Sequence, residues 1–371
     1  MSGAALRLPS KLLQRLDADI ARSVHSVEQG CLRAERAGYF ARQGYSEEAR
    51  SEIRDLHALF YERPHPAVSA SLAMAEGLLA FHEGGDRDAR DKFMRAQALS
   101  AAADLPHLAA HALAWLAHTD YVALDFPALV DHARRALDLA DVDQHAALAR
   151  VCLVIANALH FASRLDLAQP WYTRARDHAN AHGDDAMLSA LNTDMASQLC
   201  DHALRASLFG GAVNDAARRA LASANSAESF EQWVGTASLS AWVPMLRAVA
   251  LSVAGQPQEA LVLYRAHLHQ AEQQGLARLA STYLADMAWC EWRVGHNEAA
   301  MQRALAAEDR IASTAHTDDL AVAHARLAQV FDALSEEERA ANHAAQSRKC
   351  WAQHQAVQQE VVERLGGWIV P

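Results

Sequence analysis

The chain has 371 residues, 51% of them hydrophobic and 21% charged, with a formal net charge of −11. That composition supplies a substantial core and excludes an intrinsically disordered chain. The negative balance argues against a nucleic-acid backbone as principal partner, because phosphate binding needs a basic surface.

Residues 1–29 are expected to form an N-terminal cap helix region, followed by a repeat array over 30–350. A short turn-and-helix-start pattern marks that array and recurs eight times. The copies are Gly44–Ala49, Gly84–Ala89, Leu124–Leu129, Ser163–Ala168, Gly211–Ala216, Gly255–Ala260, Gly295–Ala300 and Ser335–Ala340. Their closing residues are 40, 40, 39, 48, 44, 40 and 40 positions apart, a period that marks stacked supersecondary units. Between copies lie two stretches with apolar residues at spacings of three and four, which predicts a helical hairpin per unit. Glycine permits the helix-ending conformation, and Asp, Ser, Asn or Glu begins the next helix.

Twelve residues before the closing positions stand Ala37, Gly77, Ala117, Ala156, Leu204, Ala248, Ala288 and Ala328. All but Leu204 are small, as close approach of two helices requires. Past the turn, Phe93 with Ala96, Tyr172 with Ala175, and Tyr264 with His267 fall on one face of the second helix. The long spacings flank the fifth unit and predict an irregularity near 181–234. The most apolar window, Ala237–Ala254, is broken by Pro244 and Arg247 and reads as a buried helix, so no membrane span is expected. Residues 351–371 are read as a C-terminal capping helix and tail, with Gly366-Gly367 ending the helix near Leu365. The tail Trp368-Ile369-Val370 either folds back as a cap or joins a partner surface.

These residues resemble the tetratricopeptide repeat, in its long-period bacterial form. That family combines a small residue in the first helix, a Gly-Asp/Asn turn and an Ala–aromatic–Ala ladder in the second. The resemblance implies an all-α fold, an α-solenoid of about eight antiparallel helical hairpins in a right-handed superhelix. There are departures. The units are nearer 40 residues than the usual 34. Leu124 and Ser163 replace the turn glycine, and Leu204 replaces the small residue.

Signals for catalysis are sparse: there is no GxSxG, Walker loop, HExxH or dinucleotide fingerprint. Gly84-Gly85-Asp86 looks like the start of a diguanylate-cyclase GGDEF motif, yet it continues Arg87-Asp88-Ala89 and sits on a repeat turn. Five scattered cysteines without a CxxC pair read as reduced, mostly buried thiols, which together with the absence of a signal-type N-terminus suggests a cytoplasmic protein. His107, His111, Trp115 and His118 share a helix face; His178 and His182 precede Asp184 and Asp185. Either pair lacks an evident third ligand, so no metal and no cofactor are expected.

In stacked hairpins of this kind, the first helices line the concave side. Counting from each small residue places His111, His118 and Tyr121 there in the third unit. Arg150, Asn157, His160 and Phe161 follow in the fourth, and Gln198, Arg205, Leu208 and Phe209 in the fifth. Trp242, Met245 and Val249 represent the sixth; Trp289, Trp292 and Arg293 represent the seventh. Aromatic, Arg and amide side chains suit a peptide, through stacking and hydrogen bonds to its backbone. Such residues at helical spacing also occur in cores, and Trp289, Trp292 and Arg293 are the hardest trio to bury together.

The expected function is a non-enzymatic scaffold or adaptor holding a protein or peptide ligand in the concave groove. The alternative is a ligand- or peptide-sensing regulatory module acting on a separate output protein. Long-period arrays occur in bacterial transcriptional activators and cyclase input regions, and no output pattern flanks this one. The Lys–Asn clamp of chaperone-tail binders is missing: Lys11, Lys92 and Lys349 all lie off the groove positions. End-to-end homo-oligomers are compatible with such an array.

Overall fold

The computed structural model describes residues 10–84, 86–236, 238–311 and 316–368. Among them the chain is helical throughout, with no strand. After α1 (Lys11–Arg22) come α2 (Ser26–Gln43) and α3 (Ser46–Leu59), α4 (Pro66–His82) and α5 (Asp86–Ala102), and α6 (Pro106–Val122) and α7 (Phe126–Leu139). Next are α8 (His145–Phe161) and α9 (Leu165–His182), then α10 (Asp185–Phe209) and α11 (Val213–Val234). The last pairs are α12 (Trp242–Val253) and α13 (Pro257–Ala271), α14 (Ala280–Arg293) and α15 (Asn297–Arg310), and α16 (Thr317–Ala333) and α17 (Glu337–Leu365). Each expected hairpin turn falls between the two members of a pair, so the fold is the expected all-α hairpin repeat. None of the helices among the described residues is long and apolar enough to cross a membrane.

One backbone device makes the turn. Gly44, Gly84, Leu124, Ser163, Gly255, Gly295 and Ser335 all have φ between 55° and 85°, in the left-handed region. The next amide then reaches back to the carbonyl five residues earlier. Tyr45, Asp125, Arg164, Gln256, His296 and Glu336 make this bond at 2.8–2.9 Å. It satisfies carbonyls that the ending helix would otherwise leave open. The fifth turn differs: Gly210, one residue ahead of the expected Gly211, takes φ 94°. In the second turn Gly85 and the Asp86 side chain lie outside the described residues.

Where a side-chain residue occupies the left-handed position, the backbone is strained. Ser335 is exposed and has φ 63°. Ser335→Gly is therefore expected to raise stability by about 0.5–1 kcal/mol, the relief of strain less glycine's greater unfolded entropy. Urea unfolding checks it; a destabilised variant would mean that the hydroxyl matters more than the dihedral.

Seven of the residues twelve before the closing positions are buried, and Ala328 is half-buried. At Gly77 the need for smallness is direct. A Cβ there would lie 2.6 Å from Phe93 Cε1 on the partner helix. The ladder residues Phe93, Ala96, Tyr172, Ala175 and Tyr264 are at most 1% exposed, so the second helices pack as the spacing predicts.

The chain divides into two compact units. The first takes in the residues up to Leu191, Phe230–Ser238 and the chain from Val361; the second is Asn192–Ser229 with Leu239–Glu360. In the first unit α1 docks on the turn between α9 and α10, where the Leu12 amide donates to the Gly183 carbonyl at 3.1 Å. Leu12, Leu16, Tyr39 and Ala186 close an apolar cluster there. Trp368 belongs to the same unit, with the Arg134 guanidinium 5.4 Å over its ring; Ile369 and Val370 lie outside the described residues. The second unit has one large core running from Ala196 to Ala340, which includes Met245, Ala248 and Val249 of α12.

Candidate binding sites on the first helices

In the first unit, the face of α6 that carries His111, Trp115 and His118 gathers side chains from the neighbouring first helices. Trp115 is 1% exposed and forms the hub. Its indole N–H donates to His111 Nε2 at 3.2 Å, and Phe93 stacks beneath it at 5.5 Å. Phe81 and His82 of α4 meet it edge-on, and Phe81 also packs against His118. From α8, the Arg150 guanidinium stands 3.9 Å over the indole, a close cation–π contact. At the end of α2, Arg42 pairs with Asp184 at 2.7 Å, so helices far apart in sequence frame one site.

The histidines of this site are neutral. Burial, with the nearby Arg150 and Arg42 charges, pushes His82 down to about 3. Burial, with Arg42, His182 and Arg150, does the same to His111, to about 3. His118 falls well below its ordinary value for the same main reason, aided by Arg150 and His82. Asp184 behaves oppositely: burial opposes its charge, but Arg42 and His182 outweigh that and hold it below the usual range. His82 Nδ1 reaches Ser238 Oγ at 3.2 Å. His82 Nε2 and His118 Nδ1 have no hydrogen-bond partner among the described residues. Both nitrogens are themselves buried, although the two residues as a whole are only half-buried.

These shifts predict acid lability. Below the ordinary value of 6.5 the unfolded chain takes protons that the folded His111 refuses until about 3. Stability contributed above that window is thus lost as pH falls through it. His111→Gln keeps an acceptor for Trp115 and is expected to flatten the decline, seen by thermal unfolding from neutral pH to about pH 4. An equally steep decline would place the titrating groups elsewhere.

The other candidates scatter. Asn157 and His160 are 2% and 7% exposed, and Tyr172 links them inside the fourth hairpin. Its hydroxyl donates to Asn157 Oδ1 at 2.9 Å and lies 3.2 Å from His160 Nδ1. Tyr121 is half-buried. In the second unit Arg205 reaches His354 Nε2 of α17 at 3.3 Å, and Phe209 stacks on Trp351 at 4.2 Å. The long last helix therefore covers that face of α10. Trp242 is half-buried against the core, its indole nitrogen without a partner among the described residues. Trp289 and Trp292 lie 4.9 Å apart, with Arg293 and Arg326 over the Trp289 ring at 5.7 and 5.2 Å. Arg293 is exposed.

Sequence reasoning missed Phe81 and His82. They stand four and five residues past Gly77, the register that picked out His160 and Phe161 in the fourth unit, so the signal was present. It also missed a polar group in the second unit. Asp201, one turn before Arg205 and exposed, lies within electrostatic range of Arg278, Tyr283, Asp318 and Asp319. His316, Asp318 and Asp319 hold their ligand atoms within 4.8 Å of one another. Arg278 bonds to Asp319 and comes within 3.4 Å of His316 Nδ1. None of the cysteines is bonded to another, and burial raises all five thiols, Cys152 and Cys290 to about 12.

No family model matches the sequence, and no curated protein matches it either. Among solved structures the chain is similar to a Rap protein complexed with Competence and Sporulation Factor. The match covers 95% of this chain and 92% of that one, with a TM-score of 0.54 at 12% identity. At this identity the likeness shows the fold: an all-α helical repeat of tetratricopeptide kind.

Proposed function

We propose that the protein is a non-enzymatic binding module that holds a peptide or a segment of a partner protein on the first helices of its first unit. The Trp115 hub carries this reading. A recessed aromatic surface, a guanidinium stacked upon it, and histidine nitrogens with unmet hydrogen-bonding capacity offer a peptide both stacking and polar anchors. Buried polar atoms without partners cost stability, and a ligand that completes them recovers it. Neutral histidines serve either as donors or as acceptors, which suits the alternating N–H and C=O groups of a peptide backbone.

A second reading, a ligand-sensing regulator acting on a separate output protein, gains support from the Rap likeness. That protein was crystallised with a factor bound, and the two chains match over nearly their whole lengths. Both readings need the same first step, capture of a ligand. Panning a random peptide library on the full chain tests it. Enriched peptides should lose about tenfold in affinity on His118→Leu, with the helical circular-dichroism signal unchanged. Peptides indifferent to His118→Leu and to Phe81→Ala would move the site away from Trp115.

A further inference from the structure

In the second unit the last helix covers a first-helix face that the proposed function does not use. Arg205 and Phe209, one turn apart on α10, are met by His354 and Trp351 of α17. Arg205 Nη1 lies 3.3 Å from His354 Nε2, and the Phe209 and Trp351 rings stack at 4.2 Å with an interplanar angle of 11°. We propose that α17 is an acid-released latch. Neutral His343 and His354 hold it down, and their protonation frees it, uncovering Phe209 and Arg205 for an amphipathic partner helix of the α17 kind.

The helix outruns its hairpin partner. His324 of α16 faces His343 of α17, and the Ser347 hydroxyl donates to the Ala321 carbonyl at 2.9 Å. Helices paired in this sense run antiparallel, so α16, which starts at Thr317, is used up near Trp351. There α10 takes over, through the Trp351 stack and the Arg205 contact. The inward face of α17 is also polar: His343, Ser347, Cys350 and His354 are its buried residues there. Between Ala340 and His354 the one large apolar side chain is Trp351, and it stays half-buried. In α5, α9 and α13, by contrast, Phe93, Tyr172 and Tyr264 are at most 1% exposed. Less apolar burial holds α17 than holds those helices, which is the property of an element that opens locally.

Both polar contacts need a lone pair on an α17 histidine. A guanidinium only donates, so His354 Nε2 must accept from Arg205. A proton on that nitrogen would set a cationic N–H against the guanidinium. His343 Nε2 stands 3.2 Å from Glu308 Oε1, and Glu308 is itself bonded to Arg339. An ionised carboxylate only accepts, so Nε2 carries the proton of neutral His343 and Nδ1 carries the lone pair. His324 Nδ1 donates to that lone pair at 2.8 Å, with the ring centres 5.0 Å apart, so the two nitrogens meet head-on. A second proton on His343 would leave two N–H groups facing each other. The gap between the nitrogens holds a proton but not a metal ion, whose bonds to each nitrogen need about 2.0 Å.

The charged groups around these rings leave them neutral. Burial, opposed by Asp318 and aided by Arg205, holds His354 down to about 4. Burial and His343, opposed by Glu308, hold His324 down to about 4 as well. His343 is lowered by burial, which outweighs Glu308 and is aided by Arg339. Once α17 is detached, the histidines take protons below their ordinary value of 6.5; docked, His324 and His354 refuse them until about 4. Docking is therefore intact near neutrality and is lost as pH falls through that window, about tenfold per pH unit for each histidine that titrates.

Hydrogen exchange on the full chain, corrected for the intrinsic pH dependence of amide exchange, tests the latch. Between neutral pH and about pH 5, amides of residues 345–358 should lose protection about tenfold or more per pH unit, while α12 and α14 keep theirs. His343→Gln/His354→Gln should remove that dependence, because glutamine offers an acceptor that takes no proton. Protection lost in α12 and α14 together with α17, or an unchanged pH dependence in the double variant, would overturn the latch. The uncovered face is probed with a labelled synthetic peptide of residues 337–360. By fluorescence anisotropy at neutral pH, Trp351→Ala should bind this peptide about tenfold more tightly than the parent does. Arg205→Met, which removes one contact and leaves the stack, serves where Trp351→Ala does not fold. Equal affinity for variant and parent, or binding to neither, would show that α17 occupies no docking face. All these residues lie in the second unit, so His118→Leu should leave both responses unchanged. Failure here is thereby distinguishable from failure of the Trp115 site.

Discussion

Replacement of Arg326 by methionine is expected to cost about 3–5 kcal/mol, the largest effect of any single change argued for this protein. Arg326 and Asp286 form an ion pair at 2.9 Å across α16 and α14, with side chains 4% and 2% exposed. Asp286 also accepts a hydrogen bond from the fully buried Tyr264 hydroxyl at 2.8 Å. Without its guanidinium partner the carboxylate stays in the core as an uncompensated charge. The cost is the desolvation of that charge rather than the intrinsic worth of the pair. The double variant Arg326→Met/Asp286→Asn should therefore recover most of the loss, because Asn still accepts from Tyr264 but carries no charge. Urea unfolding, combined with amide exchange in α14 and α16, separates local opening from global unfolding, which a repeat array does not always couple. A single variant as stable as the parent would show that water reaches Asp286.

Gly77→Leu is expected to rank next, at about 1–3 kcal/mol or more, with consequences that reach the candidate site. Even an alanine methyl would stand 2.6 Å from Phe93 Cε1, and Phe93 is completely buried. A displaced ring presses on Trp115, on which it stacks at 5.5 Å with an interplanar angle of 25°. Overpacking at Gly77 thus disturbs the indole that supports Arg150 and His111. Tryptophan fluorescence should shift along with the loss of stability. Phe93→Leu in the Gly77→Ala background should restore both, since a smaller side chain vacates the contact. A Gly77→Ala variant with unchanged melting temperature would mean that α4 and α5 separate freely.

Both predictions rest on features of unequal legibility. Gly77 could be read from the sequence, because its role repeats: a small residue stands at the same register position in seven of the eight hairpins. The Arg326–Asp286 pair could not: both stand two residues before the small position of their hairpins, and that position carries no constant residue type from copy to copy. The same contrast runs through the candidate sites. His111, His118 and Arg150 follow the register and converge on Trp115. Asn157 and His160 follow it as well, yet they are drawn to the Tyr172 hydroxyl inside their own hairpin.

The sequence by itself determined the repeat. Local backbone rules suffice for that: a left-handed residue after each first helix, a cap-compatible start to the second, and a small residue where the two cross. Such rules act within one hairpin and recur, so periodicity exposes them. Tertiary structure alone decided which side chains meet across hairpins. Arg42 finds Asp184 across 142 residues, and Arg205 finds His354 across 149. No periodic signal encodes these encounters, because they depend on how the rotation from one hairpin to the next accumulates along each unit. Small differences in packing at every step sum along each unit, and no local rule records the total.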